Sequence, residues 1–255
     1  MKIILIGSGN VATVLGRKIK TADHQIVQVF SPHGENASAL AGILNCGYAS
    51  SWEGIDRMAD LYIAAISDEA LLQIEKYISL GHQLIVHTAG SVSKEVLWGV
   101  SRNYGVLYPL QSLRKDNPES PRLTLLVDGN TGDNITLIND FASSFADRVE
   151  ITNDEDRMKL HLAAVIVNNF SNHLYSLAEK YCIEEKLDFQ LLLPLIEETA
   201  NRLRYASPAQ MQTGPAIRDD IDTIRRHEEL LSNQPALQLL FKELTRSIRE
   251  FHSGT

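Results

Sequence analysis

The first thirty residues constrain the fold more than any other stretch. An apolar run, Lys2–Ile6, leads into Gly7-Ser8-Gly9-Asn10-Val11-Ala12, and a second apolar run ends at Phe30. In order, that is strand, glycine turn, helix and strand, and the turn has the form G-x-G-x-x-A. Each small residue has a mechanical task. Gly7 permits the tight turn out of the strand, and Gly9 carries no side chain to hold a pyrophosphate away from the backbone. Ala12 lets the helix pack closely on the strand. The helix N-terminus then offers unpaired N–H groups and the positive end of its dipole to a phosphate. The same turn also occurs as a purely structural link. Its place between a strand and a helix favours a dinucleotide site.

Up to residue 150 the pattern alternates. Strand-like apolar runs recur at Lys2–Ile6, Gln25–Phe30, 61–66, 83–87, 106–107, 123–127 and Arg148–Ile151, with helical stretches at 11–20, 35–44, 68–78 and 94–100. Short apolar strands divided by helices predict an α/β domain over residues 1–150: a Rossmann-like, mostly parallel sheet covered on both faces. Ligands then sit at the carboxyl ends of the strands. After Thr152 the character changes. Asn153-Asp154-Glu155-Asp156 places acidic side chains at the positive end of a helix dipole. Helices are predicted at 157–181, 188–204, 214–231 and 235–252, the third starting at Gly214-Pro215. Residues 151–255 thus read as an all-helical C-terminal domain.

The formal net charge of −8 over 255 residues excludes nucleic acid as the main partner, because phosphate backbones demand basic surface. Cys46 and Cys182 lie far apart and have no metal-type spacing, so free thiols are expected and no metal. The N-terminus has a strand pattern rather than that of a signal peptide. No apolar stretch reaches bilayer length, so no membrane association is expected. These features predict a cytoplasmic protein.

NAD sites carry an acid at the end of the second strand, about 20 residues past the glycines, to hold the ribose 2′-hydroxyl. Here the run is Phe30-Ser31-Pro32-His33. Ser31 can donate to a 2′-phosphate and His33 can add charge, where an Asp would repel it. That favours NADP, with NAD less favoured; His33 also reads as an ordinary exposed loop histidine. Ile66 and Ser67 end one strand, and Thr88, Ala89 and Gly90 follow another. These exits are expected to border the cofactor, although small and hydroxyl residues suit any strand exit.

The predicted helix 157–181 is apolar on nearly every side, which predicts burial. His161, Asn168 and Asn172 nevertheless fall within about 40° of one another around its axis. Unpaired polar groups on a buried helix cost about 1–3 kcal/mol each, so this stripe needs partners. A small-molecule substrate is the favoured partner; a satisfied core network, joined by Asn169 and His173, is the alternative. Tyr108-Pro109-Leu110-Gln111-Ser112 follows a strand at the edge where substrate would enter. Gln212-Thr213-Gly214-Pro215-Ala216-Ile217-Arg218-Asp219-Asp220 feeds a helix, and Arg218 there can grip an anionic substrate or simply pair with Asp.

With these residues in view, the chain resembles Rossmann-like oxidoreductases of the deazaflavin-coenzyme-dependent NADP oxidoreductase type. Its second half resembles a helical domain of unknown function that accompanies that fold in bacteria. The resemblance covers nearly the whole chain. It rests on residues 7–12, on His87-Thr88-Ala89-Gly90-Ser91 and on 108–112. It also rests on Asn168-Asn169-Phe170-Ser171-Asn172-His173 and on 212–218. Wider relatives are pyrroline-carboxylate reductase, ketopantoate reductase and the β-hydroxyacid dehydrogenases. The resemblance implies NADP binding, a helical domain that closes the cleft and a homodimer. One departure matters: the K-x-x-x-N of the last two families is absent, because Ala164 and Val165 stand four before Asn168 and Asn169.

The expected activity is hydride transfer between NADP(H) and a small carbonyl or imine compound, or a flavin-like coenzyme. His161 is the expected general acid/base, since imidazoles exchange protons near neutral pH. Asn168 would polarise the acceptor atom and Asn172 orient the site. Gln111 and Ser112 would lie opposite, and Tyr108 and Arg218 would bind substrate. The missing Lys leaves a second reading: a non-catalytic NADP-binding sensor.

Overall fold

The computed structural model describes residues 1–117 and 121–253. Its first part runs β1 (Lys2–Ile6), α1 (Asn10–Thr21), β2 (Gln25–Phe30), α2 (Gly34–Leu44), β3 (Gly47–Ala49), β4 (Leu61–Ala64) and α3 (Asp68–Leu71). It continues with β5 (Gly81–His87), β6 (Ser101–Pro109), β7 (Thr124–Gly129), α4 (Gly132–Ser143) and β8 (Arg148–Ile151). The strands form one sheet in the order β3-β2-β1-β4-β5-β6-β7-β8. Neighbours are parallel except β6 and β7, where Leu107 faces Val127 in an antiparallel ladder. The expected Rossmann-like, mostly parallel sheet is present.

Period-two alternation explains the two cores. Ile3 and Leu5 join Leu15 of α1, Leu44 of α2 and Phe141 of α4 on one face of the sheet. Ile4 and Ile6 point the other way, to Tyr62, Leu71 and Ile74. The second face is covered by shorter pieces than the sequence suggests. The expected helix 68–78 is only α3 plus one 3-10 turn at Ile74–Lys76, and 94–100 is one 3-10 turn at Lys94–Leu97.

Other elements escape the sequence reading. β3 is three residues long, too short for a hydrophobic period. In α4 the Thr131 hydroxyl caps the helix by accepting from Asn134 N–H, and Asn134, Ile138, Phe141 and Ala142 are buried. That i, i+4, i+7, i+8 spacing was readable, but Asn, Thr and Asp between the apolar positions obscured it. β6 covers nine residues rather than two.

The helical part begins at α5 (Asp154–Ala164), where the Asn153 side chain accepts from Asp156 N–H. One π turn, Val165–Phe170, leads into α6 (Ser171–Glu184), followed by α7 (Leu193–Arg202), α8 (Ile221–Leu230) and α9 (Pro235–His252). The chain forms two compact units, Met1–Phe170 and Ser171–Thr255. A division was expected at 150/151, where the secondary structure changes.

Two expectations are corrected here. The third C-terminal helix does not start at Gly214: residues 214 and 219 have positive φ, and α8 starts after Asp220, whose side chain accepts from Thr223 N–H. Nor is the apolar run along α5 and the π turn buried. Leu162, Ile166, Val167 and Phe170 are 60, 51, 72 and 57% exposed. Apolar residues on every side of a helix require cover, and among the described residues these side chains are left exposed.

Candidate functional site

The carboxyl edge of the sheet collects the residues expected to hold a cofactor. Gly7 leaves β1 at φ +117, and a Cβ there would lie 2.1 Å from the Ala65 carbonyl oxygen. The glycine turn can therefore press against the end of β4 only without a side chain. Strands β1 and β4 are where the sheet order reverses direction, the crevice in which such folds bind ligands. Gly9 is the N-cap of α1, and a Cβ there would have nothing within 4 Å. No side chain caps this helix and no acid sits in its first turn. Its first N–H groups are thus without a side-chain cap at the positive dipole end, which fits an anionic group. Asn10 Oδ1 accepts from Lys115 N–H, Val11 is half-buried and Ala12 fully buried.

The flanking exits are as follows. Ser31 is buried at the end of β2 and its hydroxyl accepts from His33 N–H at 3.3 Å. His33 is exposed and precedes α2, and no acid stands at that strand end. Ile66 is half-buried beyond β4, and Ser67 caps α3 by accepting from Ala70 N–H. Thr88, Ala89 and Gly90 are buried beyond β5. This edge brings the sequence-predicted cofactor residues to neighbouring strand ends.

A cavity of about 520 Å³ opens within the first unit, lined by Tyr108, Gln111 and Ser112 from β6 onward and by His161, Asn168 and Asn169 from α5 and the π turn. At its wall Tyr108 Oη lies 2.9 Å from His161 Nδ1. Burial pushes the Tyr108 phenol above its ordinary range, opposed by the Arg157 cation. Gly90 backs this pair: a Cβ there would sit 2.7 Å from His161 Nδ1 and 2.8 Å from Tyr108 Cζ. Gln111 is held in place, its Nε2 donating to the Arg122 carbonyl and its Oε1 accepting from Ser112 N–H. Asn168 and Asn169 lie in the π turn, an irregularity frequent at functional sites. Asn172 and Arg218 belong to the second unit, where both are exposed.

Sequence reasoning missed Arg157. Its side chain is 1% exposed. One nitrogen, Nη2, donates to the Val92 carbonyl and to Asp154 Oδ1, while buried Nε and Nη1 have no protein acceptor among the described residues. Burial pushes the Asp154 carboxyl upward, but Ser93, Arg157 and Lys94 N–H together hold it below its ordinary range. His87, fully buried at the end of β5, accepts at Nδ1 from Ala89 N–H, so its neutral form carries the proton on Nε2. Burial, and then the Arg157 charge, pull its pKa down to about 4. Its spacing puts Arg157 one helical turn before His161 on the same face, but nothing in that spacing signals burial.

A family model for a domain of unknown function, DUF2520, matches residues 123–248. A solved structure from Bacteroides fragilis, described as a putative NADP oxidoreductase, is 36% identical over 98% of both chains, with a TM-score of 0.91. The chain belongs to that protein's family. A 1-pyrroline-5-carboxylate reductase from Streptococcus pyogenes shares the fold at 17% identity, covering 98% of each chain with a TM-score of 0.65. So does a reductive aminase from Aspergillus terreus, solved with NADPH and ethyl-5-oxohexanoate. It is 15% identical and has a TM-score of 0.70, over 99% of this chain and 95% of its own. No curated protein sequence matches the chain.

Proposed function

We propose that this protein is an NADP-dependent oxidoreductase that transfers hydride between NADP(H) and a small carbonyl or imine compound. The observation that carries the reading is the Tyr108–His161 pair, which opens on a cavity in the same unit as the glycine turn. The B. fragilis relative's description, and the NADPH-bound aminase with the same fold, support the cofactor.

When bound, NADPH supplies the hydride. The chain supplies position and a proton. The α1 N-terminus, from Gly7 to Ala12, would hold the pyrophosphate, and Ser31 with His33 would hold the 2′-phosphate. Ile66, Ser67 and Thr88 to Gly90 would flank the ribose and nicotinamide ring. Asn168, Gln111 and Ser112 orient the acceptor atom by hydrogen bonds, and His161 serves proton exchange at the cavity wall.

Titration with NADPH and NADH, followed by turnover against keto acids, imines and aldehydes, tests this reading. Preference for NADPH with oxidation by one compound class is expected. Binding without any oxidation favours the sensor. No binding by a label-free method makes the turn structural. Replacing His161 by Asn should lower kcat about 100-fold and leave NADPH affinity unchanged.

Among the described residues no helix is long and apolar enough to cross a membrane. We place the enzyme in the cytoplasm as a homodimer. The exposed run Leu162, Ile166, Val167 and Phe170 supports the dimer, because apolar side chains clustered along one helical segment mark association surfaces.

A further inference from the structure

We infer that Tyr108 is the group that hands its proton to the substrate, that His161 reloads it, and that buried Arg157 is a positioning residue whose charge holds the phenolate formed in between. This deepens, and rests on, the oxidoreductase reading above.

Three observations converge on it. Tyr108 Oη and His161 Nδ1 are 2.9 Å apart at the wall of the cavity, so one hydrogen bond links phenol and imidazole. Arg157 lies one helical turn before His161 on α5, is almost completely buried, and among the described residues has only Asp154 as an acidic partner. Its Nε and Nη1 are left without acceptors. A guanidinium in that state is costly unless its charge is used. Finally, Gly90 has an ordinary φ, and its missing Cβ is what lets the loop after β5 close on the pair.

The proton balance is closed. As hydride adds to the substrate carbon, Tyr108 Oη–H gives its proton to the substrate oxygen or nitrogen and becomes a phenolate. As Nδ1–H of His161 passes its proton to that phenolate, Nε2 accepts one from a solvent hydronium ion, which half-exposed His161 can reach, so the phenol is restored and solvent supplies the one proton that the product carries away. Arg157 of α5 is the charge that acts on the phenol; it pairs with Asp154, and both of these charges also act on His87 of β5. Burial holds His87 neutral, so it adds no charge of its own at pH 7. Burial keeps the phenol protonated until the substrate takes its proton, and Arg157 opposes that rise by favouring the phenolate.

The test places 3,5-difluorotyrosine at position 108 in the full-length protein without cofactor and follows its ionisation by 19F NMR. Arg157→Met should raise the midpoint by about one pH unit, while Arg157→Lys should leave it within a few tenths. Should Arg157→Met not fold, Asp154→Asn provides the opposite sign, because an uncompensated Arg157 lowers the midpoint. An unmoved midpoint in whichever of these two variants folds overturns the role of Arg157. In turnover, Tyr108→Phe should reduce kcat about 100-fold with NADPH affinity intact. Wild-type kcat in Tyr108→Phe overturns the donor role, whereas failure of the wild type to bind NADPH overturns the oxidoreductase reading on which it rests.

Discussion

Strand β1 and the helical run that includes the π turn are made of the same kinds of residue, yet they meet water to opposite degrees. Ile3, Ile4, Leu5 and Ile6 are all 0% exposed, whereas Val167 is 72% exposed. A central strand of a parallel sheet is covered on both faces by the connections the same chain must make between strands. A helix has no such guarantee. Apolar residues on all its sides state that cover is needed, and only topology decides whether the chain itself provides it. The polar stripe changes meaning accordingly. Asn168 and Asn172 are exposed, so no buried polar penalty obliges them to find partners. Asn168 instead borders a cavity.

The comparison breaks or holds on paired substitutions. Leu5→Ala should cost about 2–5 kcal/mol in urea unfolding, because it opens a cavity in a closed core. The oligomeric mass should stay the same. Val167→Asp should do the reverse. It should leave the protomer's fold intact and, if the proposed homodimer forms through this run, convert it to a monomer in light scattering. A dimer that survives Val167→Asp would mean the exposed run has another purpose, and the contrast with β1 would lose its explanation.

The next largest effect concerns acid. His87 is neutral in the folded protein down to about pH 4, whereas an unfolded chain's histidine binds its proton near 6.5. Between those values the unfolded state holds the extra proton, so stability rises with pH across the window and is lost as pH falls through it. The loss amounts to about 3 kcal/mol once pH reaches 4. His87→Asn keeps an acceptor for Ala89 N–H and removes the titration. Its urea midpoint should therefore change less than the wild type's between pH 6.5 and 4. Identical slopes would mean that His87 gains a proton in the folded state, and that Arg157 does not suppress it.

The sheet was legible because its signals are local. β1, β2 and α1 follow from Lys2–Ile6, the glycine turn and a second apolar run, and Gly7 fits where only glycine can. α4 was hidden by the polar residues between its apolar positions, and the length of β6 by Arg102, Asn103 and Gly105. His161 and Tyr108 were each singled out, but their pairing was not, since 53 residues separate them and only β6 and α5 bring them together. Arg157 was missed for a related reason. A charged residue near a helix start reads as solvated surface, and only the tertiary fold makes it a buried cation.

The smallest effect tests the part of the site that the sequence expressed most quietly. At the end of β2 the chain has Ser31 where an NAD site has an acid, and His33 exposed beside it. A carboxylate at 31 would accept from both ribose hydroxyls and repel a 2′-phosphate, so Ser31→Asp should move the NADPH-to-NADH affinity ratio toward NADH by about tenfold, or about 1.4 kcal/mol. The two cofactors differ only at that phosphate, so their dissociation constants, measured side by side, isolate the strand end from every other contact. Stability must be checked as well, because Ser31 is only 5% exposed and an unpaired carboxylate there carries a desolvation cost. His33→Ala separates the two contributions. It should weaken NADPH alone by a smaller factor, and a loss that is equal for both cofactors would show that His33 positions the loop rather than reading the phosphate.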